Sequence, residues 1–231
     1  MHGLEVIAQS LPDFLQATLI NLGVFAALIP IGFIVGIFVA LAQVYGHPSV
    51  AAAASAWEWF FRGVPALVLL FLFYYGLARF GLQVSAFTSG ALAMGFRSSG
   101  YQSQIFRGAI QSVPHGQVMA ARSIGMRPLQ CIGTIVLPQA MRLAIPAWSN
   151  EFSSVLKDTT LVYAIGINEV MRYARTVYVS HAQLAMMTFL TVALIFWALT
   201  SIGNSLLSLF ERRLEVPGFE ARRSIGQRMA R

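Results

Sequence analysis

Charged side chains are scarce in this sequence. Only 11% of its 231 residues are Asp, Glu, Lys or Arg, whereas 57% are hydrophobic, and the mean hydropathy is +0.66. A soluble domain carries about 25% charged residues, so this chain has too few to cover a water-facing surface. The deficit excludes an ordinary soluble protein and predicts a single all-α domain embedded in a membrane.

Residue types that particular chemistries require are also rare. The single cysteine, Cys131, excludes an intrachain disulfide framework and a cysteine-rich metal site. The only aspartates, Asp13 and Asp158, are too few for a membrane phosphotransferase that uses several on adjacent turns. No span offers a convincing Ser–His pair, the scattered histidines give no metal-ligand spacing, and no GxxxxGK(S/T) stretch for ATP hydrolysis is present. These absences favour a protein that moves a solute over an enzyme.

Long uncharged stretches predict the membrane crossings. No charged residue lies between Asp13 and Glu58 or between Arg175 and Glu211, and a crossing helix needs about 20 mostly apolar residues. The first thirteen residues contain no Lys or Arg, unlike the basic start of a cleaved signal peptide, so the first apolar segment is expected to remain. We expect a transmembrane domain over residues 10–213, with about five spans at 14–43, 57–78, 87–111, 133–157 and 181–209.

The positions of the basic residues predict an orientation. If the N-terminus is outside, eleven arginines, Arg62 among them, fall on inner segments, against four basic residues on outer segments. Because Lys and Arg favour the cytoplasmic side, we expect the N-terminus outside and the C-terminus inside. The same flanking positions explain the net charge of +7 without nucleic acid as a partner. Residues 214–231 are expected to form a disordered basic cytoplasmic tail.

The segment between the third and fourth expected spans has a compact helical pattern. Residues 107–142 contain four arginines and no acidic residue, which predicts a cytoplasmic location for the loop at 112–132. Val113-Pro114 ends the preceding helix, and HGQVMAARSIGM is expected to form a short helix with Gly125 near its end, stopped by Arg127-Pro128. On these features alone, an ordinary cytoplasmic loop is an equal alternative.

Four ordered motifs narrow the interpretation. Ala120-Ala121, Gly125, Ile135 and Leu137-Pro138 have the spacing of the EAA loop in permease subunits of ABC importers. FRGVP at 61–65, YQSQIFRG at 101–108 and LKDTTL at 156–161 resemble the FRGTP, AYxxEIxRG and LLKDTSL segments of the polar-amino-acid branch. The resemblance covers residues 10–215. It departs from the family pattern at Met119 and Gln104, where glutamates are usual.

The resemblance implies a MetI-like ABC importer permease fold in the cell inner membrane. It implies a permease dimer, formed with a second copy or a paralogue, and an extracytoplasmic binding protein that delivers a polar amino acid. ATP and Mg would be bound by a cytoplasmic ATPase dimer, with no cofactor in this chain. The residues implied in ATPase coupling are Gly116, Met119, Ala120, Ala121, Arg122, Gly125 and Arg127. Taken singly, Arg122 and Arg127 are equally explained by attraction to anionic lipid headgroups.

Ionisable side chains inside the expected spans mark a candidate solute pathway. Such groups are costly in lipid and usually face a cavity or a partner. Arg97 can clamp the carboxylate of an amino acid with two hydrogen bonds, while Glu151 or Asp158 accepts the ammonium, and Asn150 lies beside them. Two alternatives stay open: a purely structural pair between Arg97 and Glu151, and a protein of another kind, either a permease for another small solute or a channel or scaffold without an ATPase.

Overall fold

The computed structural model describes residues 2–214, and within that range the chain is helical, without strands. Its helices, in chain order, are α1 (His2–Tyr45), α2 (Pro48–Gly63), α3 (Ala66–Arg79), α4 (Ala86–Gln111), α5 (His115–Ser123), α6 (Pro128–Ile165), α7 (Val170–Ser180) and α8 (Ala185–Leu214). Two π-helical stretches interrupt α3 at Leu72–Gly76 and α6 at Ile132–Val136, and α6 ends in a 3-10 segment, Thr159–Ile165. The tail predicted at 214–231 lies outside the described residues, apart from Leu214.

Prolines and a polar cap set several helix boundaries. Pro48 and Pro128 occupy the first turns of α2 and α6, where the missing N–H of proline leaves no helical hydrogen bond unmade. Pro65 and Pro114 directly precede α3 and α5. Ser85 caps α4, because its hydroxyl accepts a 3.1 Å hydrogen bond from a backbone N–H of the first turn. These local signals account for the short connections between the long helices.

The second expected span is a broken helix. Within residues 2–214, three helical segments are long and apolar enough to cross a membrane, namely α1, α6 and α8, and the bent pair of α2 and α3 makes a fourth candidate. The axes of α2 and α3 differ by 105°. The span predicted over 57–78 is therefore not one straight helix. Pro65 cannot continue the hydrogen-bond ladder, and Val64 before it adopts an extended conformation (φ −83°, ψ 133°).

The helix α4, at the position of the third expected span, lies at the centre of the bundle. It packs against α1, α2, α3 and α6, and its buried residues include serines, glycines and Gln102. Hydropathy alone does not select it among the described helices. The neighbouring helices shield its polar side chains, so α4 does not need the apolar surface that a lipid-facing helix requires.

Two glycines allow α1 to approach α4 closely, as the GxxxG spacing of Gly32 and Gly36 predicts. A Cβ atom at Gly32 would lie 2.7 Å from Nε2 of Gln102. One at Gly36 would lie 3.0 Å from Cβ of Gln102 and 3.3 Å from backbone atoms of α4. The packing prediction is confirmed: here the two helices meet almost backbone to backbone.

We expect Gly36→Ala to lower thermal stability in detergent, because the added methyl group presses on the backbone of α4. Gly23→Ala is the matched control on the same helix, since its Cβ would meet only Cε2 of Phe87, at an ordinary 3.8 Å. Alanine is favoured over glycine in a helix by about 1 kcal/mol, so the control should hold or raise the melting temperature. Each kcal/mol corresponds to about 2–4 °C for a chain of this size. Equal shifts for both variants would contradict the close contact.

Apolar clusters pack above and below the middle of α4. One contains Ala93 and Met94 with residues of α1, α2, α3 and α6. The other contains Phe106 and Ala109 with residues of α1, α5 and α6. A third cluster joins the first half of α1 to α7 and α8. The first two leave residues 97–103 of α4 between them, and Arg97 of the candidate pathway lies in this interval.

Candidate functional site

A polar layer occupies the middle of α4, where the chain reads Arg97-Ser98-Ser99-Gly100-Tyr101-Gln102-Ser103. Ser98, Ser99, Gln102 and Ser103 are almost completely buried. A buried polar group must find a hydrogen-bond partner or lose the interaction it had with water. Some of the partners are backbone carbonyl groups of α4 itself, and others come from α6 on one side of α4 and from α2 on the other.

The first contact is an ion pair between α4 and the outer part of α6. Nη1 of Arg97 lies 2.7 Å from Oδ2 of Asp158. The side chains are 22% and 29% exposed, so the pair is largely but not wholly removed from solvent. Nε of Arg97 is buried and has no hydrogen-bond partner among the described residues. The guanidinium therefore keeps donor capacity for a second acceptor.

A chain of hydrogen bonds that contains no cation lies beside this ion pair. Oγ of Ser98 donates to Oε1 of Glu151 at 3.1 Å. Nε2 of Gln102 donates to Oγ of Ser98 at 3.0 Å, and Nε1 of Trp148 donates to Oε1 of Gln102 at 2.8 Å. Glu151 is thus held by a hydroxyl group rather than by a cation. The direct Arg97–Glu151 pair that the sequence left open is not the one formed, because Asp158, two helical turns further along the same face of α6, takes the guanidinium.

Asn150, also predicted to line the pathway, lies off this face. Successive residues of an α-helix are rotated by about 100°, so the neighbour of Glu151 points elsewhere, and Asn150 is exposed. The spacing of Trp148, Glu151 and Asp158 (i, i+3, i+10) keeps them on one stripe of α6. The structure therefore brings together three of the four predicted pathway residues.

A second charged cluster, which the sequence reasoning missed, joins α2 to the same layer. Nη1 of Arg62 lies 2.5 Å from Oε1 of Glu58 one turn earlier, and Glu58, which is 7% exposed, also accepts a 3.0 Å hydrogen bond from Gln43 of α1. The Arg62 guanidinium lies over the Tyr101 ring at 5.3 Å from its centroid, and that of Arg97 lies at 5.0 Å. The i, i+4 spacing of Glu58 and Arg62 was the available sequence signal.

Arg62, which the sequence analysis counted on an inner segment, takes part in this polar layer. It contacts Tyr101 in the middle of α4, one residue before the end of α2. The remaining basic residues on the expected inner segments still outnumber those on the outer segments. The charge bias therefore continues to favour the same orientation without Arg62.

The loop helix predicted from HGQVMAARSIGM is present as α5. Ala121 is 5% exposed and packs into the apolar cluster at this end of the bundle. Gln139 donates to Gln117, which fastens α5 to the start of α6. Gly125 follows the helix with φ +86°, a conformation that residues with a side chain rarely adopt. The loop is therefore attached to the bundle along one side.

The opposite side of this loop is open. Gly116, Ala120, Arg122 and Arg127 are exposed, and the apolar side chains of Met119, Ile124 and Leu129 are 66%, 80% and 83% exposed. Ile124 and Leu129 were not among the predicted coupling residues, although both lie within the predicted loop. Exposed apolar groups rimmed by arginines form a surface suited to a protein partner.

A third polar cluster ties α1 to the end of α6 and the start of α7. The side-chain amide of the fully buried Asn21 donates to Thr159 at 3.1 Å and to Glu169 at 3.0 Å, and its oxygen accepts from the backbone N–H of Val170 at 3.1 Å. Burial raises the pKa of the Glu169 carboxyl, against the opposing effect of its hydrogen bonds. This cluster fixes the turn between α6 and α7 rather than contributing to the polar layer of α4.

Metal ligands do not converge in the part of the chain that the structure describes. No group of three or more His, Cys, Asp or Glu residues within residues 2–214 is arranged to hold a metal ion. The carboxylates of the polar layer are instead paired with a guanidinium or a hydroxyl group. Opposite charges therefore lie close together inside the bundle, and not all of their hydrogen-bonding atoms are paired: Nε of Arg97 has no partner among the described residues.

Comparison with known proteins gives a consistent result. A family model described as "Binding-protein-dependent transport system inner membrane component" matches residues 29–216. The chain is 36% identical over 216 residues to the "Probable amino-acid permease protein YxeN" of Bacillus subtilis (strain 168), covering 92% of this chain and 96% of that protein. It is 34% identical over 213 residues to the "Octopine transport system permease protein OccQ" of Rhizobium radiobacter, covering 87% of this chain and 90% of that protein.

Solved structures show the same similarity. The fold matches the "Crystal structure of an amino acid ABC transporter with histidines" with a TM-score of 0.80 and 34% sequence identity, over 90% of this chain and 96% of that one. A methionine ABC transporter, MetNI in an inward-facing conformation, matches with a TM-score of 0.74 at 15% identity, over 88% of this chain and 96% of that one. At that identity, the second match concerns the fold alone.

Proposed function

The chain belongs to the family of binding-protein-dependent transport system inner membrane components, and from that premise we propose that it is the permease subunit of an ATP-driven importer for polar amino acids. It is a multi-pass inner-membrane protein with the MetI-like permease fold. Relatives named as amino-acid and octopine permeases support an amino acid or amino-acid derivative as the solute. The chain is a transport component, and we assign the ATP chemistry to a partner subunit.

One observation carries the assignment of the solute. Arg97 and Glu151 lie on facing helices within the bundle, the first with a buried unsatisfied Nε and the second held by a single serine hydroxyl group. An amino-acid zwitterion presents a carboxylate and an ammonium group, and it needs one donor and one acceptor. Arg97 would receive the carboxylate in exchange for, or alongside, Asp158. Glu151 would accept the ammonium, because Asp158 is already engaged by Arg97.

The partners follow from the family and from the open loop surface. A cytoplasmic ATPase dimer would seat against the exposed residues around α5, and a second permease, identical or paralogous, would complete the membrane part. An extracytoplasmic binding protein would deliver the solute. The side of α5 that packs through Ala121 and Gln117 makes the loop a stiff extension of α6. Displacement by the ATPases would therefore be transmitted directly to the helix that carries Glu151 and Asp158.

The orientation belongs to the same proposal. The loop at α5 precedes α6 and α7 follows it, so the two lie at opposite ends of α6. With Arg122 and Arg127 in the cytoplasm, α7 and the first turns of α1 would lie outside. Asp158 would then lie toward the outer end of the pathway, where a solute released from a binding protein would arrive first.

The experiment is affinity purification of the tagged chain from its native membranes in mild detergent, followed by reconstitution of the complex in liposomes. We expect an ATPase subunit to co-purify, and polar amino acids to accumulate only with hydrolysable ATP and the binding protein. A nonhydrolysable ATP analogue is the matched control. Recovery of the chain alone, or solute flux without ATP, would replace this proposal with a channel or a membrane scaffold.

A further inference from the structure

The ring of Tyr101 lies between two guanidinium groups that belong to different helices. The Cζ atom of Arg97, one turn earlier on α4, is 5.0 Å from the ring centroid, and the Cζ atom of Arg62 on α2 is 5.3 Å from it. Both distances are within the range of about 6 Å in which a ring attracts a cation. The hydroxyl group of Tyr101 makes no hydrogen bond to any residue within the described range. The contacts therefore depend on the ring and not on its oxygen.

Each of these guanidinium groups also holds a carboxylate. Arg97 pairs with Asp158 of α6 at 2.7 Å, and Arg62 pairs with Glu58 of its own helix at 2.5 Å. The two positive groups would repel each other across one ring without these partners. With them, the ring separates two neutralised ion pairs. A row of contacts thus connects α2 to α6 across α4, in the order Glu58, Arg62, Tyr101, Arg97 and Asp158.

The contact between α2 and α4 at this level is tight. A Cβ atom at Gly100 would lie 3.0 Å from Cγ of Arg62 and 3.3 Å from the backbone oxygen of Glu58. Arg62 stands one residue before the end of α2, immediately before the break at which α3 turns by 105°. A shift of this broken helix relative to α4 must therefore move Arg62 across the face of Tyr101.

We propose that Tyr101 is a positioning residue, which holds the Arg97 guanidinium at the solute pathway and couples it to the α2–α3 break through Arg62. This inference rests on the proposed function, in which Arg97 receives the carboxylate of the solute. To do so, Arg97 must loosen its contact with Asp158. The Tyr101 ring keeps the guanidinium in place during that exchange, because attraction to a ring face tolerates a change of anionic partner. Loss of the ring leaves Arg97 bound to Asp158 or misdirected.

The test compares Tyr101→Leu with Tyr101→Phe in the complete reconstituted complex. We expect Tyr101→Leu to raise the KM for amino-acid uptake about tenfold, the order of magnitude of a desolvated cation–π contact. Tyr101→Phe, which keeps the ring, should restore a KM within about twofold of the wild type. A merely structural tyrosine would behave differently: Tyr101→Leu would reduce the amount of folded complex and the maximal rate at an unchanged KM. That outcome would overturn the proposal.

A second measurement does not depend on transport. Thermal stability of the purified chain is compared for Tyr101→Leu, Arg97→Met and the double variant. Contacting residues give non-additive effects, whereas independent residues give additive ones. We expect the loss of stability in the double variant to be clearly smaller than the sum of the losses in the two single variants. Additive losses would show that Tyr101 does not hold Arg97 and would overturn the proposal. If the wild-type complex transports no amino acid, the proposed function fails, while this measurement still decides whether Tyr101 and Arg97 act together.

Discussion

Replacement of Arg97 by methionine is expected to reduce amino-acid uptake by roughly 30- to 100-fold. Removing one member of a desolvated charge pair typically costs about 2–5 kcal/mol, much of it from the charge left unpaired. Arg97 and Asp158 keep 22% and 29% of their side-chain surface exposed, so the lower part of that range applies. Uptake in proteoliposomes and thermal stability in detergent are measured together. Arg107→Met is the matched control, since it removes the same charge from the same helix, where the guanidinium donates to Gln104.

A double variant separates a solute contact from a structural ion pair. Replacing a buried ion pair by apolar residues of similar volume is often neutral or stabilising, so Arg97→Met with Asp158→Leu should recover the thermal stability lost in the single variant. If Arg97 receives the carboxylate of the solute, the stable double variant will still transport poorly. Recovery of both stability and uptake would show that the pair only holds α4 against α6, and the proposed solute site would then be wrong.

The sequence predicted the overall architecture because its signals there are long and redundant. Extended uncharged stretches located α1 and α8, and two prolines with a glycine located the loop helix α5 between Pro114 and Pro128. In each case several residues carry the same information, so no single exception matters. The GxxxG spacing in α1 was similarly informative, since only a side chain of hydrogen allows the observed approach to α4.

Details that depend on one residue were less predictable. Hydropathy suggested a span over 57–78 but not its break, because an average over apolar residues does not reveal the single proline at the 105° bend. The contact between Arg62 and Tyr101 was likewise not predicted. The position of Arg62 beside Tyr101 depends on α2 running alongside α4, and no local pattern encodes that contact.

The pathway residues show the same limit. The sequence grouped Arg97, Glu151 and Asp158 in one candidate pathway, since ionisable groups inside a bundle need partners. It did not show which of the two carboxylates pairs with Arg97, because both lie on one face of α6 and either can face α4. The three-dimensional path of the helices decided that Asp158 takes the ion pair and that Ser98 holds Glu151. Asn150 lies off that face, because adjacency in sequence does not imply a shared helix face.

Reversal of the loop charges, Arg122→Glu together with Arg127→Glu, is expected to weaken retention of the ATPase by about 100-fold or more. Both side chains are exposed, so the fold of the chain should be preserved. Like charges placed against each other across an interface cost several kcal/mol, and the exposed apolar groups of Ile124 and Leu129 would no longer be held against their partner. The measurement is the amount of ATPase that co-purifies with the tagged chain over a range of salt concentrations.

The matched control is Arg172→Glu with Arg175→Glu, which makes the same change of charge on the exposed face of α7, at the other end of α6. It should leave ATPase retention unchanged. The alternative that Arg122 and Arg127 bind anionic lipid headgroups predicts a different pattern. In that case, the loop variant would keep its ATPase in detergent, and its defect would appear only in liposomes that contain anionic lipid. Loss of the ATPase in detergent, with the α7 variant unaffected, would assign the loop arginines to the protein partner, because no bilayer is then present to attract them.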